Sequence, residues 1–194
     1  MPLTLEMVKN KLARIANGRI LILLFLAALP FLAFVFPYRN TALSIVSGRE
    51  KPTLDSDVHY DATYAYDLFG SLEKKGRRLY AWSEITADLI FPLIYAFFLS
   101  LLIIYIFERT SFTKPQQFLA MLPFLMLLFD YGENILIAFM LFDYPERHNA
   151  IAQVASVFTK LKWSLFGLSF AVILFGLTCL TIQFVERRSG SRNS

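Results

Sequence analysis

Four long runs of apolar residues constrain this chain more than any other feature of its sequence. A helix needs roughly 20 residues to cross the hydrocarbon of a bilayer, and each run is long enough, the last with polar insertions. The predicted spans are residues 20–38, 85–107, 118–142 and 151–184. The first run exceeds the apolar stretch of a signal peptide, and no A-x-A cleavage site follows it. The sequence therefore predicts an all-α integral membrane bundle of four transmembrane helices.

The composition agrees with a membrane protein and argues against several other classes. Only 18% of the 194 residues are charged, whereas a soluble domain has about 25%. The single cysteine, Cys179, cannot form an internal disulfide or a CxxC redox site. The sequence pI of about 9.2, beside long apolar runs, indicates contact with lipid headgroups and not with nucleic acid.

The connections between the spans predict their order. The loops near residues 108–114 and 143–149 are short, which favours antiparallel neighbours and an up-down bundle. The longer segment 39–84 is predicted to carry an interfacial amphipathic helix at about residues 61–75, because its apolar residues recur at helical spacing. Those residues are Tyr64, Ala65, Leu68, Phe69 and Leu72. A break and a basic cluster are predicted at residues 74–78, where Gly76 stands among two lysines and two arginines.

Three prolines lie inside the spans, and both chain ends carry further signals. Pro30, Pro92 and Pro123 are expected to kink their helices, because proline lacks the amide hydrogen that continues a helix. Residues 5–15 have the spacing of an amphipathic helix at the headgroup level, although a basic flank that only orients the first span explains them equally well. Residues 1–188 are predicted to form one domain, followed by a disordered tail over 189–194.

The basic residues that flank the spans predict the orientation of the chain. One side carries nine and the other eight, and the acidic residues of segment 39–84 dilute the second group. This bias favours both termini in the cytoplasm, in a plasma or inner membrane. The near balance leaves dual insertion and an antiparallel homodimer as open alternatives.

The third span contains ionisable residues where a membrane helix normally has none. Asp130, Glu133 and Asn134 are spaced i, i+3 and i+4, so they project from one face of the helix. A charged side chain at that depth costs roughly 2.5–3.5 kcal/mol on insertion scales. These residues are therefore predicted to have polar partners on a neighbouring helix.

The fourth span offers two lysines at matching depth. Counted from the 143–149 connection, Glu133 and Asp130 lie about 14 and 18 Å into the third span, and Lys160 and Lys162 about 14 and 17 Å into the fourth. Lys160 is the favoured partner, because it follows the helical spacing of a polar and small-residue seam. The seam consists of Gln153, Ser156, Lys160, Ser164 and Gly167. Lys162 stays an alternative, since Thr159 and Ser169 accompany it.

The second span adds Asp88 and Tyr95, two turns apart on one face. The sequence predicts a polar line that descends from Asp88 through Tyr95 to the acids of the third span. Arg77 and Arg78, next to the amphipathic helix, are expected to cover its opening. A helix N-terminal charge at Asp88 and simple packing of Tyr95 are the plainer alternatives.

Three functions fit this predicted site. The favoured one is a carrier, linked to a proton or handling a small solute or lipid, because two neighbouring carboxylates beside a lysine titrate together and can exchange a proton. The second is a membrane enzyme acting on a lipid or isoprenoid-like substrate, with Glu133 or Asp130 as acid and base; its helix count and buried acids resemble the four-helix sterol-isomerase-type membrane proteins. The third is a structural subunit, in which the polar residues only fix helix packing. No catalytic or cofactor motif appears, and His59 and His148 lack the spacing of a metal site.

Overall fold

The computed structural model describes residues 12–51, 53–110 and 116–190, and these residues form helices and connecting turns without a β-strand. Four of the helical segments are long and apolar enough to cross a membrane. Many of their large apolar side chains are exposed at the surface, among them Phe34, Ile90, Leu128 and Phe175. A surface of this kind suits an apolar solvent.

The first long helix, α1, runs over Gly18–Ser47 and contains a change of helix type. The Asn17 side chain caps it by accepting a hydrogen bond from the Ile20 amide. After Pro30 the chain forms a π-helical turn over Phe31–Val35. This is the kind of local adjustment expected after a proline. Gly48, with a φ of 68°, ends the helix in the left-handed conformation.

The segment after α1 folds back onto the long helices. A short 3-10 turn at Leu54–Ser56 precedes two helices, α2 over Ala62–Ser71 and α3 over Lys74–Glu84. Asp61 caps α2 by accepting a hydrogen bond from the Tyr64 amide. The predicted helix at residues 61–75 is thus present over most of its length.

The apolar stripe of this helix packs inward: Ala65, Leu68, Phe69 and Leu72 are fully buried in a core shared with the last two long helices. The predicted position of the break is wrong. Gly76 lies inside α3, and the chain breaks before Lys74 instead. Leu72 has an extended backbone, and it ends α2.

The remaining helices are α4 over Ala87–Phe107, the short α5 over Gln116–Leu119, α6 over Leu122–Phe142 and α7 over Asn149–Gly190. These bounds agree with the predicted second and third spans within a few residues. The first helix extends nine residues beyond its predicted end, and the fourth extends at both ends. Pro92 lies inside α4, whereas Pro123 lies in the first turn of α6, where proline is tolerated.

Several terminal predictions concern residues outside the described ranges. Of the predicted N-terminal amphipathic helix, residues 12–15 are described and are helical. Of the predicted tail, Ser189 and Gly190 belong to α7.

A second apolar core lies at the other end of α4, around Ile103, Phe107 and Ile173. Gly176 of α7 belongs to this region. A Cβ atom built on Gly176 would lie 2.6 Å from Ile106 Cγ2 and 3.1 Å from Phe107 Cε2. The glycine therefore allows α7 to approach α4 closely.

Replacing Gly176 by alanine is expected to destabilise the fold by about 1–3 kcal/mol, because the added methyl group overpacks this contact. Gly167→Ala is the matched control, since α7 has open space around Gly167; it is expected to be neutral or slightly stabilising. Thermal unfolding of the purified proteins in detergent measures both. Equal melting temperatures for the two variants would contradict the close approach.

Candidate functional site

The predicted acids and a lysine do meet, with Lys162 between them. Its ammonium nitrogen lies 3.2 Å from Asp130 Oδ1 and 2.5 Å from Glu133 Oε2. Lys162 is 7% exposed and Glu133 is fully buried. The face of α6 that carries the two acids therefore points at α7, as the i, i+3 spacing predicts.

The preference for Lys160 is corrected by this geometry. Lys160 is half-buried and forms no ion pair with a described residue. Gln153, Ser164 and Gly167, which belong to the predicted seam, are exposed. The face of α7 that packs inward carries Ala152, Ala155, Ser156, Thr159, Lys162 and Ser169. The small side chains of Ala152, Ala155 and Ser156 let α6 approach this face of α7. Because α7 is rotated with this face inward, Lys162 points toward the two acids.

Hydroxyl groups hold both carboxylates in place. The Tyr95 hydroxyl donates to Asp130 Oδ2 at 2.6 Å, and the Thr159 hydroxyl donates to Glu133 Oε1 at 2.7 Å. Each acid thus has one ionic partner and one neutral donor, which is the arrangement that lowers the cost of a buried charge. The predicted contact between Tyr95 and the acids of the third span is present.

Asn134 has a different role from its neighbours on α6. Its amide donates to the backbone carbonyl oxygen of Asp88 at 2.7 Å. In the same region, the Tyr131 hydroxyl donates to the Leu89 carbonyl oxygen. These bonds connect α6 to the first turn of α4. Asn134 therefore takes no part in the ion pairs, which Asp130 and Glu133 form with Lys162.

Asp88 belongs to a second ionic group, which is centred on Arg39 of α1. Arg39 Nη1 lies 2.7 Å from Asp88 Oδ2 and 4.0 Å from Glu84 Oε1, and Nη2 lies 3.6 Å from Asp55 Oδ2. Arg39 is 5% exposed. The Ser83 hydroxyl also donates to Asp88 Oδ2.

Arg39, Asp55 and Glu84 are site residues that the sequence pattern did not indicate, and Thr159 entered it only as a companion of Lys162. One signal pointed to Arg39: it directly follows the apolar run of the first span, on the side where Asp88 begins the second. Asp55 carried no comparable signal, since a loop brings it into place.

Arg77 does not cover the opening as expected. Its guanidinium donates to the Phe69 and Leu72 carbonyl oxygens at the end of α2.

The charge state of Asp55 follows from its surroundings. Burial alone would raise the pKa of this carboxyl, but Arg39 and, more weakly, Lys162 hold the pKa below its ordinary value. Asp55 is therefore ionised at neutral pH. It adds a negative charge beside Arg39.

A cavity of about 450 Å³ joins the two ionic groups. Its polar wall consists of Arg39, Asn40, Asp55, Asp88, Tyr95, Asp130 and Lys162, and its apolar wall of Phe36, Phe91, Phe98, Leu99, Met126, Trp163 and Phe166. Glu133 lies behind this wall, next to Lys162. The cavity thus reaches Asp130 but not Glu133.

Comparisons of the chain with protein-family models, curated proteins and solved structures found no match. Trp163 and Phe166 of α7 are 41% and 39% exposed, and Phe36 of α1 lies on the same cavity wall. The apolar wall therefore continues to the outer surface of the helices, on the side of α1 and α7.

The described residues around the cavity do not form a metal site. Within residues 12–51, 53–110 and 116–190, no three histidine, cysteine, aspartate or glutamate side chains are placed to hold a metal ion. What the arrangement offers is a half-polar, half-apolar cavity with paired charges at its polar side.

Proposed function

We propose that this chain is an integral membrane protein of carrier type, which takes an amphipathic, lipid-like molecule into the cavity lined by α1, α4, α6 and α7. The observation that carries this proposal is the division of the cavity into a charged wall and an aromatic wall. The charged wall suits a polar headgroup, and the aromatic wall suits a hydrocarbon chain that enters from the side. A purely structural role needs no cavity beside its buried ion pairs.

The proposed topology is an up-down bundle with both termini in the cytoplasm. Contacts between neighbouring long helices pair late residues of one with early residues of the next, as expected for antiparallel helices. Arg39 near the end of α1 pairs with Asp88 at the start of α4, whereas Phe25 contacts Phe98 farther along α4. In this topology both ionic groups lie toward the side opposite the termini.

Proton linkage is proposed to act through the cluster of Asp130, Glu133 and Lys162, which the cavity reaches at Asp130. This carboxyl lines the cavity and keeps two partners, Tyr95 and Lys162. Binding or release of a proton by the cluster of two carboxyl groups and a lysine would change the charge that the ligand meets. Glu133, which the cavity does not reach, supports Lys162 instead.

Filling the cavity tests the proposed binding. Leu99 lines the cavity, so Leu99→Trp is expected to displace the bound molecule, because the indole occupies its space. Native mass spectrometry of the purified protein should detect an amphipathic molecule on the unaltered chain and not on this variant. The matched control is Leu93→Trp, which changes an exposed residue of the same helix and should retain the molecule. Equal retention by both variants would contradict the proposal.

A further inference from the structure

The ionic groups around the cavity contain more carboxyl groups than cations. Arg39 is paired with Asp55, Glu84 and Asp88, and Lys162 with Asp130 and Glu133. Among the described residues, two cations therefore face five carboxyl groups within ion-pair distance. Of these, Asp55, Asp88 and Asp130 line the cavity together with both cations, so a ligand that enters it meets three acidic groups and two cations.

One member of this surplus has no compensating hydrogen bond. Glu84 is 1% exposed, and neither of its carboxyl oxygens accepts a hydrogen bond from a described residue. It lies behind Arg39, whose Nη1 atom is 4.0 Å away and already closer to Asp88. Among the described residues Arg39 is the cation within ion-pair distance of Glu84, and Asp55 and Asp88 share it, so a further cation on the Arg39 side of the cavity would relieve this sharing.

The cavity wall nearest Arg39 offers both of the interactions that an ammonium group uses. Asp55 and Asp88 line it, and Asp55 Oδ1 accepts no hydrogen bond from a described residue. Phe36 and Phe91 lie on the same wall, with ring centroids 5.0 Å apart, and the Arg39 guanidinium already lies over the Phe36 ring, 5.1 Å from its centroid. Aromatic faces attract organic cations by their quadrupole, and carboxylates form strong hydrogen bonds with ammonium groups.

We propose that the ligand of this cavity is an amphipathic amine, whose ammonium group binds beside Asp55 and Asp88 and whose chain lies along Phe98, Met126 and Phe166. This inference rests on the proposed function, since it names the chemical class of the molecule that the cavity takes. An anionic headgroup would add to the surplus of carboxylates. An inorganic cation would leave the apolar wall unused.

The tryptophans of the chain supply a direct assay. Trp82 and Trp163 are the only two, and Trp163 lines the cavity. In a Trp82→Phe variant, a brominated chain that enters the cavity quenches the fluorescence of Trp163. We would titrate this variant, in phosphatidylcholine nanodiscs, with brominated dodecylamine, dodecanol and dodecanoate.

The amine is expected to quench saturably and to bind at least about tenfold more tightly than the alcohol, because a charge-assisted hydrogen bond contributes roughly 1.5–3 kcal/mol. The carboxylate should bind more weakly still. In the same background, Asp55→Asn should weaken amine binding about tenfold, and Asp67→Asn, at an exposed position of α2, should not change it.

Two other results are distinguishable. If the alcohol or the carboxylate binds as tightly as the amine, the assignment of an amine is overturned, while the lipid-like ligand remains. If none of the three probes quenches saturably, both the amine and the proposed function are overturned. The comparison of the three probes uses one folded protein, so it does not depend on the stability of Asp55→Asn.

Discussion

Replacing Lys162 by methionine is expected to destabilise the protein by about 3–5 kcal/mol, because it leaves two buried carboxylates without their cation. Lys162 is the ionic partner of both Asp130 and Glu133, and Glu133 is fully buried. Methionine keeps the length and the apolar stem of the side chain, so the loss reports the charge and not the packing. Thermal unfolding in detergent, followed by size-exclusion chromatography, measures the effect.

The control for this experiment stands two residues away on the same helix. Lys160→Met removes the same charge from a half-buried side chain that forms no ion pair with a described residue, and it should shift stability by less than about 1 kcal/mol. Combining Lys162→Met with Asp130→Asn and Glu133→Gln should recover most of the loss, since no buried charge then lacks a partner. A larger effect at Lys160 than at Lys162 would refute the observed pairing.

The helical class and the four long apolar helices were predictable because they depend on local pattern. Composition and the length of apolar runs determine where a membrane-length helix can form. The end of α1 was not predictable in this way. The chain becomes polar after Tyr38, yet α1 continues to Ser47, because Arg39 finds acidic partners and Leu43 is buried against α2 and α3. Tertiary contacts, not the local sequence, extend the helix.

The site was predictable from one helix and not from its neighbours. The spacing of Asp130 and Glu133 fixes their common face, and their burial requires partners. The choice between Lys160 and Lys162 depends on how α7 rotates against α6, and small residues on both possible faces made the sequence pattern ambiguous. Ala152 and Ala155 pack inward, and they decide the rotation in favour of Lys162.

The second ionic group was missed because its members come from distant parts of the chain. Arg39 and Asp88 are 49 residues apart, and Asp55 comes from the loop that precedes α2. No periodicity links these positions. The sequence did show that Asp88 is an acid within an apolar span. An acid in that position requires a polar partner, and this requirement was the available signal.

Arg39→Gln is expected to lower the stability of the protein as much as Lys162→Met does, because three carboxyl groups share this one guanidinium. Asp88, Asp55 and Glu84 all lie within 4.0 Å of it, and removing one member of a buried ionic group costs about 3–5 kcal/mol. Arg39→Lys should lose less, since it keeps the charge. The Arg39→Lys variant should still be less stable than the original protein. One ammonium group cannot replace a planar guanidinium that donates to Asp88, Ser83 and Asn40 together.

Arg19→Gln is the matched control, as Arg19 belongs to the same helix and is exposed; it should leave the melting temperature nearly unchanged. Adding Asp88→Asn to Arg39→Gln should restore part of the stability, because the closest unpaired charge is then removed. The folded fraction of each variant, measured by size-exclusion chromatography after heating in detergent, ranks the series. If Arg39→Gln and Arg19→Gln have the same melting temperature, the Arg39 guanidinium does not stabilise these three acids. Lys162 would then be the cation that stabilises the polar wall of the cavity.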